Sequence, residues 1–116
     1  AICSGALLCD IELMLNGSTL QDKFDFVVAA DHVKKGKPDP EGYLLAYEKL
    51  KAIVPGINVV ECVVVEDSHW GLEAAKAAGM RTLAVTNTYP KDELKADMVV
   101  ERLDRVSMET LKKMCI

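Results

Sequence analysis

The chain has 116 residues, the size of one modest domain. Half of them are apolar and 28% are charged, and the formal net charge is −4. That balance is ordinary for a globular protein and argues against non-specific nucleic-acid binding. No apolar run approaches the roughly 18–20 residues of a membrane helix, and the opening residues lack the basic segment of a signal peptide.

The elements can be predicted in order. Ala1-Ile2-Cys3 reads as the tail of a strand, with Ser4-Gly5 as the turn after it. Leu7, Leu8, Ile11, Met14 and Leu15 recur at helical spacing up to a stop at Asn16-Gly17. Leu7, Leu8, Ile11 and Leu15 are expected in the core. Phe26–Ala30 is a second strand, and a polar loop runs from Asp31 to Pro40. Asp39-Pro40 is a strong helix start, with an acceptor at the cap and a proline at the first helical position. The helix that follows shows Leu44, Leu45, Tyr47, Leu50 and Ile53 as its apolar face and ends at Pro55-Gly56.

Val63-Val64-Val65 then runs straight into Glu66-Asp67-Ser68, and an alanine-rich helix continues to Gly79. Ser68 is placed to cap that helix. Arg81–Val85 is the next strand, followed by the loop Thr88-Tyr89-Pro90 and a helical turn at Asp92-Glu93-Leu94. Met98–Val100 is a short last strand, and Ser107 caps a terminal helix carrying Leu111 and Met114. Strands that alternate with helices predict a parallel sheet covered on both faces. The expected fold class is α/β, a three-layer Rossmann-like, mostly parallel sheet formed by one domain over residues 1–116.

Four cysteines, Cys3, Cys9, Cys62 and Cys115, form no C-x-x-C, and the two histidines, His32 and His69, stand far apart. A zinc site fits poorly, and a reduced, cytoplasmic protein is expected.

In open α/β sheets, ligands bind beyond the carboxyl ends of the strands. Three features stand there. Ser4-Gly5 offers a hydroxyl and backbone N–H groups at a helix start, a phosphate cradle. Lys37 offers a point positive charge. Glu66 and Asp67 offer oxygen ligands to a hard cation such as Mg²⁺. Together they suit a phosphoryl group whose oxygens must be neutralised as it transfers.

With these residues the chain resembles the haloacid dehalogenase (HAD) superfamily, and within it the β-phosphoglucomutase-like phosphatases. Ala1–Gly5 is similar to the family's second motif, Gly36-Lys37-Pro38-Asp39-Pro40 to its third, and Val63–Gly71 to its fourth. The resemblance implies that Ser4 and Gly5 bind the phosphoryl group and that Lys37 stabilises a phospho-aspartate. It also implies that Asp67 binds Mg²⁺ directly, while Glu66 binds it or holds its waters. The reaction implied is Mg²⁺-dependent hydrolysis of a small phosphorylated metabolite such as a sugar phosphate. Alternatives are a phosphomutase of the β-phosphoglucomutase type, or an inactive fragment that only binds phosphate or a partner.

The family's D-x-D nucleophile motif is absent from these residues, since Asp22-Lys23-Phe24-Asp25 has the wrong spacing. The family's cap domain is absent as well. The segment is therefore expected to be the C-terminal part of a longer enzyme and inactive alone. Its missing strand would lie between the Ser4 strand and the Glu66-Asp67 strand. The exposed edges that result predict poor stability, or strand-paired self-association. A receiver domain is excluded by order, because Lys37 precedes the acidic pair.

Simpler roles compete at each position. Ser4 can be a turn residue, Lys37 a solvated neighbour of Lys34 and Lys35, and Glu66 and Asp67 helix-end acids. Thr86, Asn87 and Tyr89 lie past a strand end, with no spacing that compels a role.

Overall fold

Residues 1–116 are described by a computed structural model. The elements follow the expected order: β1 (Ile2–Cys3), α1 (Leu8–Leu15), β2 (Val27–Val28), α2 (Glu41–Ile53), β3 (Val63–Glu66), α3 (His69–Ala77), β4 (Arg81–Val85), β5 (Met98–Val100) and α4 (Met108–Met114). Every strand pair is parallel. The sheet is in two pieces, β1–β2 and β3–β4–β5.

β4 is the centre of the larger piece. Thr82, Leu83 and Ala84 are fully buried, as expected of a strand flanked on both edges. Thr82 also pins the sheet's register. Its N–H donates to Asp97 Oδ2 at 2.8 Å, and the Asp97 N–H donates to Thr82 Oγ1 at 3.0 Å, just before β5 begins. Gly79, at φ +82°, makes the left-handed turn from α3 into β4 that residues with a side chain rarely adopt.

β1 and β3 each have one hydrogen-bonded neighbour, β2 and β4 respectively. Between them runs a groove of about 380 Å³, lined by Ile2 and Cys3 on one side and Val63, Val64 and Val65 on the other. Tyr43, Ala46 and Leu50 of α2 also line it. α2 packs on β1 and β2, α3 packs on β3 and β4, and the two helices touch. The main apolar cluster gathers Tyr43, Cys62, Val64, Ala74, Ala75, Ala78 and Met80, with Cys3 against it. The two halves of the sheet thus share one core below the groove.

Several expectations need correction. Of the α1 residues assigned to the core, only Ile11 is buried; Leu7 is exposed, and Leu8 and Leu15 are half-buried. α1 packs closely on no other helix or strand, which leaves most of its apolar side chains uncovered. The buried stripe of α2 is Tyr43 and Ala46, with Tyr47 and Leu50 beside them, while Leu44 and Ile53 face solvent. The strand predicted at Phe26–Ala30 pairs only over Val27–Val28, because Ala30–His32 turns into a 3₁₀ helix. Val65 is 45% exposed although it sits in a strand expected to be covered on both faces.

Candidate active site

The loop after β2 carries Lys37 back across the groove. Its Nζ donates to the Cys3 carbonyl at 3.1 Å and to Glu66 Oε1 at 3.2 Å, and lies 5.0 Å from the centre of the Tyr43 ring. Both partners of the Lys37–Glu66 pair are largely buried, so this ion pair is less screened than a surface one. Lys37 therefore ties the end of β1 to the end of β3. Burial, with the Glu66 charge second, pushes the Tyr43 hydroxyl well above its usual range, which keeps the ring neutral beneath the ammonium. The Cys3 thiol is likewise raised, chiefly by burial.

Glu66 is held from its other oxygen too. Ser68 Oγ donates to Oε2 at 2.8 Å, and the same hydroxyl accepts the Gly71 N–H at 3.2 Å, capping α3 as its position after the acids predicts. The carboxylate lies so close over Gly71 that a Cβ there would overlap it. Gly71 is a requirement of the site that reading the acids alone missed. Its signal in the sequence is a glycine five residues after Glu66, inside a helix where glycine is otherwise costly.

Ser4, Gly5 and Lys37 line one cleft of about 270 Å³, together with Ala29, Ala30 and Gly42. Ser4 Oγ accepts the Ala6 N–H at 3.1 Å, and the Gly5 N–H donates to no protein acceptor. The helix starts at Leu8, later than the Ser4-Gly5 turn implied, and its first N–H donates to Asp31 Oδ1 at 2.8 Å. Asp39 caps α2 through Oδ1, which accepts the Glu41 N–H at 3.0 Å, while Pro40 stands at the cap position itself.

Asp67 is not among the residues lining that cleft. Its Oδ2 accepts a hydrogen bond of 2.7 Å from Thr88 Oγ1, 21 positions later in a loop whose sequence carries no signal for this contact. The His69 and Tyr89 rings meet at 4.3 Å between centres.

Both Glu66 oxygens have protein partners, whereas on Asp67 only Oδ2 does. An all-oxygen set with one uncommitted carboxylate oxygen fits a hard cation that completes its shell with water and substrate phosphate. No group of three acidic, histidine or cysteine side chains gathers that could hold a metal unaided. The residues fit Mg²⁺ as part of a site.

Comparison with known proteins identifies the family. A family model described as haloacid dehalogenase-like hydrolase matches residues 1–85. The chain is 40% identical over 85 residues to the fructose-1-phosphate phosphatase YqaB of Escherichia coli (strain K12), covering 73% of this chain and 43% of that protein. It is 47% identical over 64 residues to a phosphorylated carbohydrates phosphatase of Thermotoga maritima, covering 55% of this chain and 27% of that one. Among solved structures, CbbY from Rhodobacter sphaeroides in complex with phosphate superposes with a TM-score of 0.65 at 32% identity, over 76% of this chain and 38% of that one. A family IA, variant 3 hydrolase from Entamoeba histolytica matches in fold, with a TM-score of 0.81 at 22% identity, over 96% of this chain and 50% of that one. The chain thus spans half or less of the length of each of these relatives. With the family model covering most of its length and a lysine–carboxylate pair at the strand ends, the chain belongs to the haloacid dehalogenase-like hydrolases.

Proposed function

We propose that these residues are the C-terminal part of the catalytic core of a Mg²⁺-dependent phosphatase acting on a small phosphorylated metabolite such as a sugar phosphate. The observation that carries this reading is Lys37, bonded at once to the Cys3 carbonyl of β1 and the Glu66 carboxylate of β3, beside the Ser4-Gly5 turn. The names of relatives that act on phosphorylated sugars support the substrate class.

In this reading Ser4 Oγ and the Gly5 N–H bind phosphoryl oxygens, and Lys37 neutralises their charge as the bond to phosphorus changes hands. Glu66 fixes Lys37, and Ser68 and Gly71 fix Glu66. Asp67 would hold Mg²⁺, which would supply further neutralisation of the phosphoryl oxygens. The nucleophile is an aspartate on a strand outside these residues, seated in the groove between β1 and β3, where an extended segment would find the free edges of both. It attacks phosphorus to form an aspartyl-phosphate and displaces the metabolite's alcohol, which leaves with a proton from an acid also outside these residues. Water then attacks phosphorus, releasing inorganic phosphate and restoring the aspartate. Four free cysteines accord with a reducing, cytoplasmic setting.

The test is phosphate release from a panel of sugar phosphates by the full-length protein carrying this segment, with and without Mg²⁺. Turnover that needs Mg²⁺ and is abolished by Lys37→Ala and by Asp67→Asn is expected. Undiminished activity in either variant overturns the assignment.

A further inference from the structure

We propose that Thr88 is a positioning residue for Asp67: its hydroxyl fixes one carboxylate oxygen so that the other is presented to the cation. This rests on the reading of Asp67 as a Mg²⁺ ligand.

Sheet register brings the two residues together. β3 and β4 run parallel with Glu66 opposite Ala84, so the chain leaving β4 after Val85 emerges beside the chain leaving β3 after Glu66. The Asn87 N–H donates to the Val85 carbonyl at 2.8 Å and turns the loop tightly at that point. The next two side chains then hold the Asp67-Ser68-His69 turn. Thr88 Oγ1 donates to Asp67 Oδ2 at 2.7 Å, and the Tyr89 ring lies 4.3 Å from the His69 ring. Two consecutive loop residues thus contact the first and last residues of the turn that carries the ligand.

A hydroxyl suits this role because it is neutral. It orients the carboxylate without competing for the cation's charge, as a lysine or arginine in its place would. A carboxylate with one oxygen held has fewer rotamers to lose on binding metal, and partners of this kind are typically worth about 10–100-fold in metal affinity. The Thr88–Asp67 bond is exposed to solvent, which places the effect at the lower end of that span.

The experiment is calorimetric titration of Mg²⁺ alone into the full-length protein carrying this segment, as wild type, Thr88→Val and Thr88→Ser, with thermal unfolding of each in the absence of metal. Valine keeps the shape and removes the donor; serine keeps the donor. Valine is expected to weaken Mg²⁺ binding about tenfold, with serine close to wild type and the metal-free unfolding temperatures alike. Wild-type affinity in Thr88→Val overturns the inference alone. So does a serine variant as weak as the valine one. Absence of Mg²⁺ binding by the wild type overturns the metal reading itself. If valine does not fold, Thr88→Ala takes its place with the same expected outcomes.

Discussion

The two pieces of the sheet differ in how well they support themselves. In β3–β4–β5, the central strand has three consecutive residues with no exposure, and the Thr82–Asp97 pair locks its outer neighbour. In β1–β2, each strand is two residues long, Val28 is its one fully buried strand residue, and α1 buries Ile11 alone. Yet the site draws on both. Ser4 and Gly5 extend from the weak piece, Glu66 and Asp67 from the strong one, and Lys37 joins them. The strong piece acts as a fixed reference, and the Ser4-Gly5 turn is held to it by one ammonium and by the contact of α2 with α3.

The sharpest way to break this contrast is Leu83→Ala. It empties a fully buried position in β4 and should cost about 2–5 kcal/mol in chemical denaturation of the full-length protein. Leu13→Ala, on α1 where the side chain is 74% exposed, should change stability by no more than about 0.5 kcal/mol. Equal losses from both would mean that packing at β4 contributes no more than the exposed face of α1, and the contrast would fail.

A smaller effect is expected at the joint itself. Gly71→Ala places a methyl where the Glu66 carboxylate sits and must push that group off Ser68 and Lys37. A loss of about 1–3 kcal/mol is expected, together with a fall in phosphate release larger than the stability loss explains at the assay temperature. Stability loss with unaltered turnover of the folded fraction would show that Lys37 does not depend on Glu66.

The mildest test uses the thiols. Cys9 is exposed, while burial raises the thiols of Cys3 and Cys62 and so lowers their thiolate fraction at a given pH. Alkylation at pH 8, followed by mass spectrometry, should modify Cys9 first and Cys62 last. Raising the pH should speed the Cys3 reaction, since its thiolate forms only above the ordinary thiol range. Cys3 reacting as fast as Cys9 would show that the β1 end opens readily.

How far the sequence could be read follows from the range of the forces involved. The parallel α/β order was legible because Val63–Val65, Arg81–Val85 and Met98–Val100 carry their strand pattern locally, and Ser68 and Ser107 carry their caps within three residues. The strand-end rule brings Lys37 and Glu66 to one edge of the sheet, but nothing in the sequence records their direct bond across 29 residues. Thr88 on Asp67 was illegible, because nothing within the loop records the register that delivers it. Gly71 was passed over since its reason lies in another residue's side chain. The face of α2 departs from the hydrophobic pattern because tertiary contacts select it: Tyr43 and Ala46 are buried, while Leu44 and Ile53 face solvent.

The Glu66–Ala84 register also makes the chain between Asp67 and Thr88 a measured length. A strand advances about 3.3 Å per residue and alternates its faces. One residue inserted within β4 would therefore carry the Thr88 hydroxyl beyond bonding distance and turn it to the wrong side, a double loss from a single added codon. The connection from Asn16 to Asp25, which leads into the weaker piece of the sheet and positions none of the site's side chains, carries no such ruler. Length variation among natural or engineered versions of this domain should therefore collect there and be purged from β4.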